Sequence, residues 1–399
     1  MSRKKKSRRR RTSQHQQGIE PPKPMLMPAA GKHGVWWTPA MLTGAFIFLC
    51  IATALFRLYY TTEIMTITGD TLRLIIHGIY VNQQGLSAAG QSLTDQSEIY
   101  GRIAWSYLPW NYPAIALLFF TLISKTLPTL FFAKLILTAI EACNAWLVYR
   151  FSGNRWLGLI YWMSPVSMWW ASHEGQFEPL QNLFVLLALV LLARRPAWSL
   201  VMLAIAIQVK LTAGAFLPYF AYRIYKDYRE DMIKIAAVFA AGFIPTLITM
   251  YFYPALSQIF STLETLVYNP WYFDFSNRAM AGEVPATIWF VDQLVSSLLL
   301  LVLLVCIATQ RLKFHYAPPL IFMLFAAFST KFLGWYWLVL MPFLLVIPNH
   351  RLRLQLFALS FLIDISVYYE MLGLLGSNLD DYYAGIGVFD NLGKLFNIY

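Results

Sequence analysis

Apolar stretches long enough to cross a bilayer recur along most of this 399-residue chain, and they constrain its fold more than any other feature. Hydrophobic residues make up 58% of the sequence and charged residues 13%, well below the ~25% charge typical of soluble domains. The stretches lack the alternating pattern of an outer-membrane barrel. The sequence therefore predicts an all-α polytopic membrane protein.

The apolar pattern predicts about 10–12 transmembrane helices, several of them too short for a simple perpendicular span. They form a single membrane domain over residues 36–399, without an internal repeat or a soluble domain. The predicted segments are residues 39–59, 113–127, 130–149, 157–170, 180–192, 198–209, 211–222, 233–253, 286–309, 318–328, 335–347 and 354–369.

Residues 1–35 form a basic tail, in which eight of the first eleven residues are Lys or Arg. We expect a disordered cytosolic tail that fixes the topology and is compatible with attraction to anionic lipid headgroups, rather than a nucleic-acid-binding segment. The first apolar stretch is too long for the hydrophobic region of a signal peptide, so we expect it to remain as a membrane helix.

The bias of Lys and Arg toward certain loops predicts which side of the membrane each occupies. The cytosolic loops are expected at residues 150–155, 194–195, 223–234, 311–313 and 350–353. The extracytoplasmic side then holds residues 61–111, 172–178, the turn at Lys210, 254–285, 330–334 and the tail after Glu370.

Two features of this topology stay open in the sequence. Residues 111–149 should cross the membrane an odd number of times, yet they read as two segments broken near Lys125. Either one of them is a half-span, or Arg150 lies outside. Residues 198–222 read as two short helices meeting at Lys210, or as a broken pair that lines a cavity.

The large polar loop at residues 61–111 carries Asp70, directly before a segment of amphipathic character. Asp70 is suited to cap a helix lying on the membrane surface. A helix cap does not exclude a catalytic role. An aqueous loop above the membrane is a suitable location for the catalytic acid of a membrane enzyme.

A second polar cluster lies at residues 172–178, where His173, Glu174, Gln176 and Glu178 stand between two apolar segments. Acids at a membrane boundary are costly unless they are exposed to water or used. We interpret the cluster as a substrate-lining loop, and a plain interfacial loop is the alternative.

Lys210 is alone in an apolar run, where it either snorkels to the interface or pairs with a phosphate. Near the end of the chain, Lys331, Trp335 and Tyr336 form an interfacial cluster whose rings either belong to an aromatic belt or stack on a sugar. Tyr112 and Pro113 mark the start of a helix.

No Cys/His spacing suggests a zinc site, and the three cysteines, Cys50, Cys143 and Cys306, all lie in apolar segments. They are interpreted as small core residues rather than as a disulfide framework.

Taken in order, these clusters resemble the GT-C superfamily of polyprenyl-phosphate-sugar-dependent glycosyltransferases. They are most similar to its mannosyltransferase branch, which includes the catalytic subunit of the first GPI mannosyltransferase and bacterial relatives. The matching elements are the first-loop acid Asp70, the Tyr-Pro pair at 112–113, Ser-Pro at 164–165 followed by Gly-Gln-Phe-Glu at 175–178, Lys210 with Pro218 downstream, and Lys-Phe-Leu-Gly-Trp-Tyr at 331–336 followed by Pro342.

The chain departs from that branch at three positions. Thr68 stands where the GPI enzyme has the first Asp of an Asp-x-Asp pair, Ala114 follows the Tyr-Pro pair, and Glu178 replaces the usual Asp. The superfamily is therefore better supported than the branch, and sugar transfer better than mannose transfer.

The resemblance implies a GT-C-type bundle that transfers mannose or another hexose, with inversion, from a polyprenyl-phosphate sugar to an extracytoplasmic hydroxyl on a lipid- or glycan-linked acceptor. Asp70 would be the general base. Lys210 is the first candidate for the phosphate-binding cation, followed by His173, Arg102 and Lys331, while Glu174, Gln176 and Glu178 would bind sugar hydroxyls or position Asp70. No metal or other cofactor is required, although a divalent ion on Asp70 and Glu174 is an alternative.

Two other functions are compatible with the composition: a lipid or oligosaccharide transporter or flippase, and a non-catalytic subunit of a glycosyltransferase complex. The expected location is a prokaryotic plasma membrane with the N-terminus in the cytoplasm, and the endoplasmic-reticulum membrane is the alternative. Membrane lipids are expected partners, and nucleic acid is not.

Overall fold

A computed structural model of the protein describes residues 39–62, 112–127, 129–252, 337–345 and 349–358, together with isolated positions between 71 and 82, between 298 and 320, and at 347. Every regular element within these ranges is helical. The predictions for residues 1–35, and for most of the last four predicted segments except the one at 335–347, lie outside the described residues.

The described ranges contain ten longer α-helices with defined bounds and a further helical stretch at residues 350–358, joined in places by short 3₁₀-, π- or α-helical turns. The ten are α1 Pro39–Thr62, α2 Ala114–Thr126, α3 Leu130–Ser152, α4 Arg155–Trp162, α5 Glu178–Leu192, α6 Pro196–Val209, α7 Leu217–Asp227, α8 Met232–Ala241, α9 Ile244–Phe252 and α10 Trp337–Leu345.

Within the part of the chain that the structure describes, three helical stretches are long and apolar enough to cross a bilayer: Pro39–Thr62, Leu130–Ser152 and Arg229–Tyr251. The described residues thus agree with the prediction of a helical membrane protein. The larger number of spans and the GT-C architecture stay predictions.

Local sequence sets the ends of α3 and α4. The Thr129 hydroxyl accepts a hydrogen bond from the Phe132 amide at 3.3 Å, and Gly153 ends α3 in the left-handed region at a φ of 69°. Asn154 then caps α4 by accepting from the Trp156 amide at 2.9 Å. These are favourable cap residues at both ends of a tight turn.

Contacts between the helices show in which direction each one runs relative to α1. Phe46 near the start of α1 packs on Trp156 at 5.5 Å between ring centroids, and Tyr60 at its end packs on His173, also at 5.5 Å. Residues 155–173 therefore run in the same direction as α1. Helix α3 runs oppositely, since Lys134 lies beside Gly175 and Tyr149 lies beside Gly158.

Helices α5, α6 and α7 continue this up-and-down arrangement. The Ser199 hydroxyl of α6 donates to the Ala188 carbonyl of α5 at 2.7 Å. The Tyr228 hydroxyl, just after α7, donates to the Ala193 carbonyl at 2.8 Å. Lys210 and residues 172–178 consequently share one end of the bundle, and residues 193–195 and Tyr228 share the other, in the relative arrangement that the loop charges predict.

Helix α10 packs against α5 and against residues 211–216. Its Leu338 carbonyl accepts from the Asn182 side chain at 2.6 Å, and its Phe343 packs on Phe216 at 4.9 Å.

Residues 157–170, predicted as one segment, are broken in the structure. Helix α4 ends at Trp162, Ser164 is extended (ψ 126°), and a short turn at Pro165–Ser167 leads into a π-helix at Met168–His173. The cause is Pro165, which has no amide hydrogen and disfavours the α conformation in the residue before it.

Arg57 of α1 binds the Trp162 carbonyl at this break and the start of the π-helix that follows it. Its Nε and Nη2 donate to the Trp162 carbonyl at 3.1 and 2.7 Å. Nη1 and Nη2 donate further to the carbonyl and hydroxyl of Ser167 and to the Ser172 hydroxyl, at 2.8–3.2 Å. Every N–H group of the guanidinium is thereby used, and the side chain is fully buried.

The structure bears on how residues 111–149 cross the membrane, which the sequence leaves open. Tyr112, before α2, contacts Phe177 at 4.8 Å between ring centroids, and Lys134, in α3, lies beside Gly175. Since both flank the same loop, the chain between them leaves and returns to one end of the bundle. This favours the half-span for α2, whose 13 residues extend about 20 Å, against about 30 Å of hydrocarbon.

Replacing Arg57 with Lys should destabilise the protein strongly, because one ammonium cannot reach the Trp162 carbonyl, Ser167 and Ser172 together. Breaking a buried charged network costs about 3–5 kcal/mol. Thermal unfolding of the purified protein measures the loss, and Arg195→Lys at an exposed arginine is the matched control. Equal melting temperatures for the two variants would show that Arg57 does not hold the break.

Candidate functional site

The acidic loop, residues 172–178, is buried rather than exposed at an interface. Glu174, Gln176 and Glu178 have no accessible surface, while His173 retains 16%. The plain interfacial loop considered from the sequence is therefore wrong. Buried acids in a membrane protein are costly and are usually paired or used, so their partners define the site.

The backbone of the acidic loop is fixed by the π-helix that precedes it. The Glu174 amide donates to the Trp169 carbonyl at 2.9 Å, and the Gln176 amide donates to the Trp170 carbonyl at 2.8 Å. Gly175 between them has a φ of 72°, in the left-handed region that favours glycine. A Cβ atom at Gly175 would lie 3.0 Å from Cγ of Lys134.

Two carboxylates of the site each bond to a basic side chain. His173 Nδ1 lies 2.8 Å from Glu174 Oε1, and the imidazole stacks on Trp169 with ring centroids 4.1 Å apart. The Lys210 ammonium donates to Glu178 Oε1. It also lies 4.9 Å from the centre of the Phe177 ring, in cation–π range.

Lys210 reaches Glu178 because helix α6 ends at Val209 and Lys210 itself is extended, with φ −153° and ψ 131°. A 3₁₀ turn at Leu211–Phe216 follows before α7 begins. The prediction of two helices meeting at Lys210 is thus confirmed. The snorkelling alternative is wrong, since the lysine side chain is turned into the protein and paired with a buried carboxylate.

Two further segments of the chain meet the acidic loop. The Thr71 hydroxyl donates to the Gly175 carbonyl, and Tyr112 packs edge-on against Phe177. Thr71 follows Asp70 directly in the sequence. The sequence could place the first polar loop only on the same side as the acidic loop, whereas the structure brings Thr71 into contact with it.

The segment after Asp70 is helical at its described positions, and Leu74 and Ile75 are buried. It packs closely on α2, since the Ser124 hydroxyl donates to the Ile75 carbonyl at 3.0 Å. A Cβ atom at Gly78 would lie 2.6 Å from the Phe120 carbonyl oxygen. The amphipathic pattern read from the sequence therefore corresponds to a helix face packed on protein.

Several predicted site residues lie outside the described residues, and their placement stays a prediction. They are Asp70, Arg102, Lys331, Trp335 and Tyr336.

A second polar layer, which the sequence analysis did not identify, lies beneath the acidic loop. The buried Glu141 of α3 interacts electrostatically with Arg57 and lies close to Tyr161 and Asn144. The Asn144 side chain donates to the Pro179 carbonyl at 2.9 Å, and the Thr138 hydroxyl donates to the Ser172 hydroxyl at 3.0 Å. The layer joins α1, α3, α4 and the start of α5.

Arg57, Lys134 and Glu141 were missed because they stand in or beside stretches that are otherwise apolar. The signal that identifies them is an ionisable residue inside a predicted membrane helix, which marks a buried or functional position. Residues 130–149 contain two such residues, Lys134 and Glu141.

The arrangement can bind and orient polar groups through its paired charges. Within the described ranges, no three His, Cys, Asp or Glu side chains lie together as a metal site requires. No family model matches the sequence, and comparisons with curated proteins and with solved structures also found no match.

Removing Lys210 alone should destabilise the protein more than removing the whole pair. Lys210→Met leaves the Glu178 carboxylate buried without its cation, at a cost of about 3–5 kcal/mol, whereas a neutral pair avoids most of that cost. Unfolding of Lys210→Met, Glu178→Gln and the double variant completes a mutant cycle. Losses that simply add would show that the two charges are not coupled.

Gly175→Ala should lower the melting temperature further than Gly153→Ala. Both glycines have a φ near 70°, so both variants carry the same left-handed strain of about 1–2 kcal/mol. Only Gly175 is closed in by Lys134 and Thr71, while Gly153 is exposed. Matching shifts for the two variants in thermal unfolding would contradict close packing around the acidic loop.

Proposed function

We propose that this protein is an integral membrane glycosyltransferase of the GT-C type, which transfers mannose or another hexose from a polyprenyl-phosphate donor to a hydroxyl group. The observation that carries the proposal is the convergence on the acidic loop of segments far apart in sequence. Thr71 contacts Gly175, Tyr112 contacts Phe177, and Lys210 binds Glu178. These segments bear the motifs through which the sequence resembles that superfamily.

Asp70 acts as the general base in this proposal. Its carboxylate takes the proton from the acceptor hydroxyl, whose oxygen attacks the anomeric carbon while the bond to the lipid phosphate breaks, with inversion. An aspartate is ionised at neutral pH without tuning. The bond between Thr71 and Gly175 supports this role, because it ties the residue after Asp70 to the acidic loop.

The buried side chains of the acidic loop hold the loop in place beside the segment that carries Asp70. The Lys210 ammonium bonds to Glu178 and lies 5.8 Å and 4.9 Å from the ring centres of Tyr112 and Phe177. Because its ammonium is paired with Glu178, we assign Lys210 to holding that buried carboxylate in place, rather than to serving as a phosphate-binding cation by itself.

The distribution of Lys and Arg supports an extracytoplasmic position for the acidic loop. Arg155 lies 5.2 Å from the Phe46 ring near the start of α1, at the end of the bundle opposite His173. The N-terminal tail leads into this same end, so its basic residues and Arg155 are proposed to face the cytoplasm together. The expected membrane is a prokaryotic plasma membrane.

A transporter is the second candidate, because the ionisable residues Arg57 and Glu141 are buried within candidate membrane-crossing helices, as in many ion and proton pathways. The hydrogen bonds of Arg57 argue against it. They hold the guanidinium on fixed carbonyl and hydroxyl groups of the helix break, which suits a permanent scaffold better than a moving charge.

Asp70→Asn should abolish sugar transfer while leaving the yield and melting temperature unchanged, because the amide cannot accept the proton. Transfer is measured with purified full-length protein in liposomes and a panel of polyprenyl-phosphate sugars. Asp95→Asn, in the same polar loop, is the matched control and should keep full activity. Near-normal turnover by Asp70→Asn would remove Asp70 from the role of base.

A further inference from the structure

His173 is the titratable residue of the acidic loop whose side chain remains accessible at the protein surface. Lys134, Glu174 and Glu178 have no accessible surface, and Lys210 has 6% and is bonded to Glu178. His173 retains 16%. Among the described residues of the site, the imidazole is therefore the group that a ligand can contact without displacing the protein around it.

The imidazole is also held in one orientation. Nδ1 bonds to the buried Glu174 carboxylate at 2.8 Å, one face of the ring stacks on Trp169 at an interplanar angle of 14°, and Tyr60 packs at 81° to it. A carboxylate on one ring nitrogen fixes the imidazole and leaves the other nitrogen for a ligand. The nitrogen left for a ligand here is Nε2.

The position of His173 beside α1 gives it access to the bilayer. Tyr60 is on the last turns of α1, where Leu55, Phe56 and Tyr59 are exposed. In a membrane-crossing helix, exposed apolar side chains of this kind face lipid. A ligand that approaches His173 past α1 would therefore come from the membrane, with an apolar portion that stays among the lipids.

We propose that His173 binds, through Nε2, the phosphate group of a lipid-linked phosphate that reaches it laterally beside α1, with Glu174 as its positioning residue. With both ring nitrogens protonated, the imidazolium donates to Glu174 from Nδ1 and to a phosphate oxygen from Nε2. Trp169 and Tyr60 contact the isoprenoid units next to the phosphate. The assignment of this lipid as the sugar donor rests on the proposed function, but its binding does not.

Farnesyl phosphate is the probe, because it carries the phosphate and a short isoprenoid chain without a sugar. Its binding to full-length protein in nanodiscs of zwitterionic lipid is measured for wild type, His173→Ala and His173→Gln, and for His350→Gln as the control at an exposed histidine. We expect binding about tenfold weaker or more in both His173 variants, as loss of a charge-assisted hydrogen bond implies, and unchanged binding in the control.

Two further ligands test the phosphate contact and the isoprenoid contact separately. Farnesol lacks the phosphate and inorganic phosphate lacks the chain, so both should bind much more weakly than farnesyl phosphate, and the binding of farnesol should not depend on His173. Farnesol binding as tight as that of farnesyl phosphate would overturn the phosphate contact. Inorganic phosphate binding as tightly would overturn the lipid part.

Glu174→Gln separates positioning from a purely structural role. The amide can still contact Nδ1 but carries no charge, so farnesyl phosphate should bind with an affinity between those of wild type and His173→Ala, at an unchanged melting temperature. Wild-type affinity in Glu174→Gln would overturn the positioning role. Equal affinity of wild type and both His173 variants for farnesyl phosphate, or no binding by wild type, would overturn the site itself.

Sugar transfer distinguishes failure of this site from failure of the proposed function. If wild type transfers sugar and the His173 variants do so with an unchanged KM for the donor, the His173 site is overturned and glycosyl transfer stands. If no donor supports transfer but farnesyl phosphate binding depends on His173, the lipid-phosphate site stands and glycosyl transfer is rejected.

Discussion

The burial of Arg57 against a broken helix is the interaction on which the rest of the described structure depends. Moving a guanidinium out of water costs several kcal/mol unless its donors and charge are matched. Here its donors meet the Trp162 carbonyl, Ser167 and Ser172, and Glu141 lies close enough to interact with it electrostatically. The Trp162 carbonyl at the break before Pro165 would otherwise be unsatisfied inside a bilayer. Each partner thus offsets the cost of burying the other, and α1 is joined to the segment that carries the site.

The break at Pro165 leads into the acidic loop, which is buried among the helices. The π-helix turns the chain so that Glu174, Gln176 and Glu178 are buried while the edge of His173 remains accessible. Gly175 supplies the left-handed residue that the turn requires, and Lys134 and Thr71 close around it. The two carboxylates are each bonded to a basic side chain, Glu174 to His173 and Glu178 to Lys210. The loop thus holds its polar side chains in defined contacts, as the proposed site for a lipid phosphate requires.

The sequence was most informative where one residue interrupts a uniform pattern. Lys210 in an apolar run predicted the junction of two helices there, and the loop charges predicted which segments share an end of the bundle. Prediction from the sequence failed where local structure or burial depends on residues far away in the chain. Residues 157–170 are mostly apolar, and although Pro165 interrupts them, the break also needed Arg57, 105 residues or more away in the chain, to satisfy the Trp162 carbonyl. The burial of Glu174 and Glu178 likewise depends on packing that no local pattern contains.

These features together support one proposal, that the buried acidic loop and the first polar loop form a site for a lipid-phosphate sugar. The most direct measurement is product formation by purified wild-type protein in sealed liposomes containing polyprenyl-phosphate sugars and a hydroxyl acceptor. The account predicts a glycosylated acceptor with the inverted anomeric configuration, together with free polyprenyl phosphate. Movement of intact donor across the bilayer, without any glycosylated product from any sugar, would contradict it.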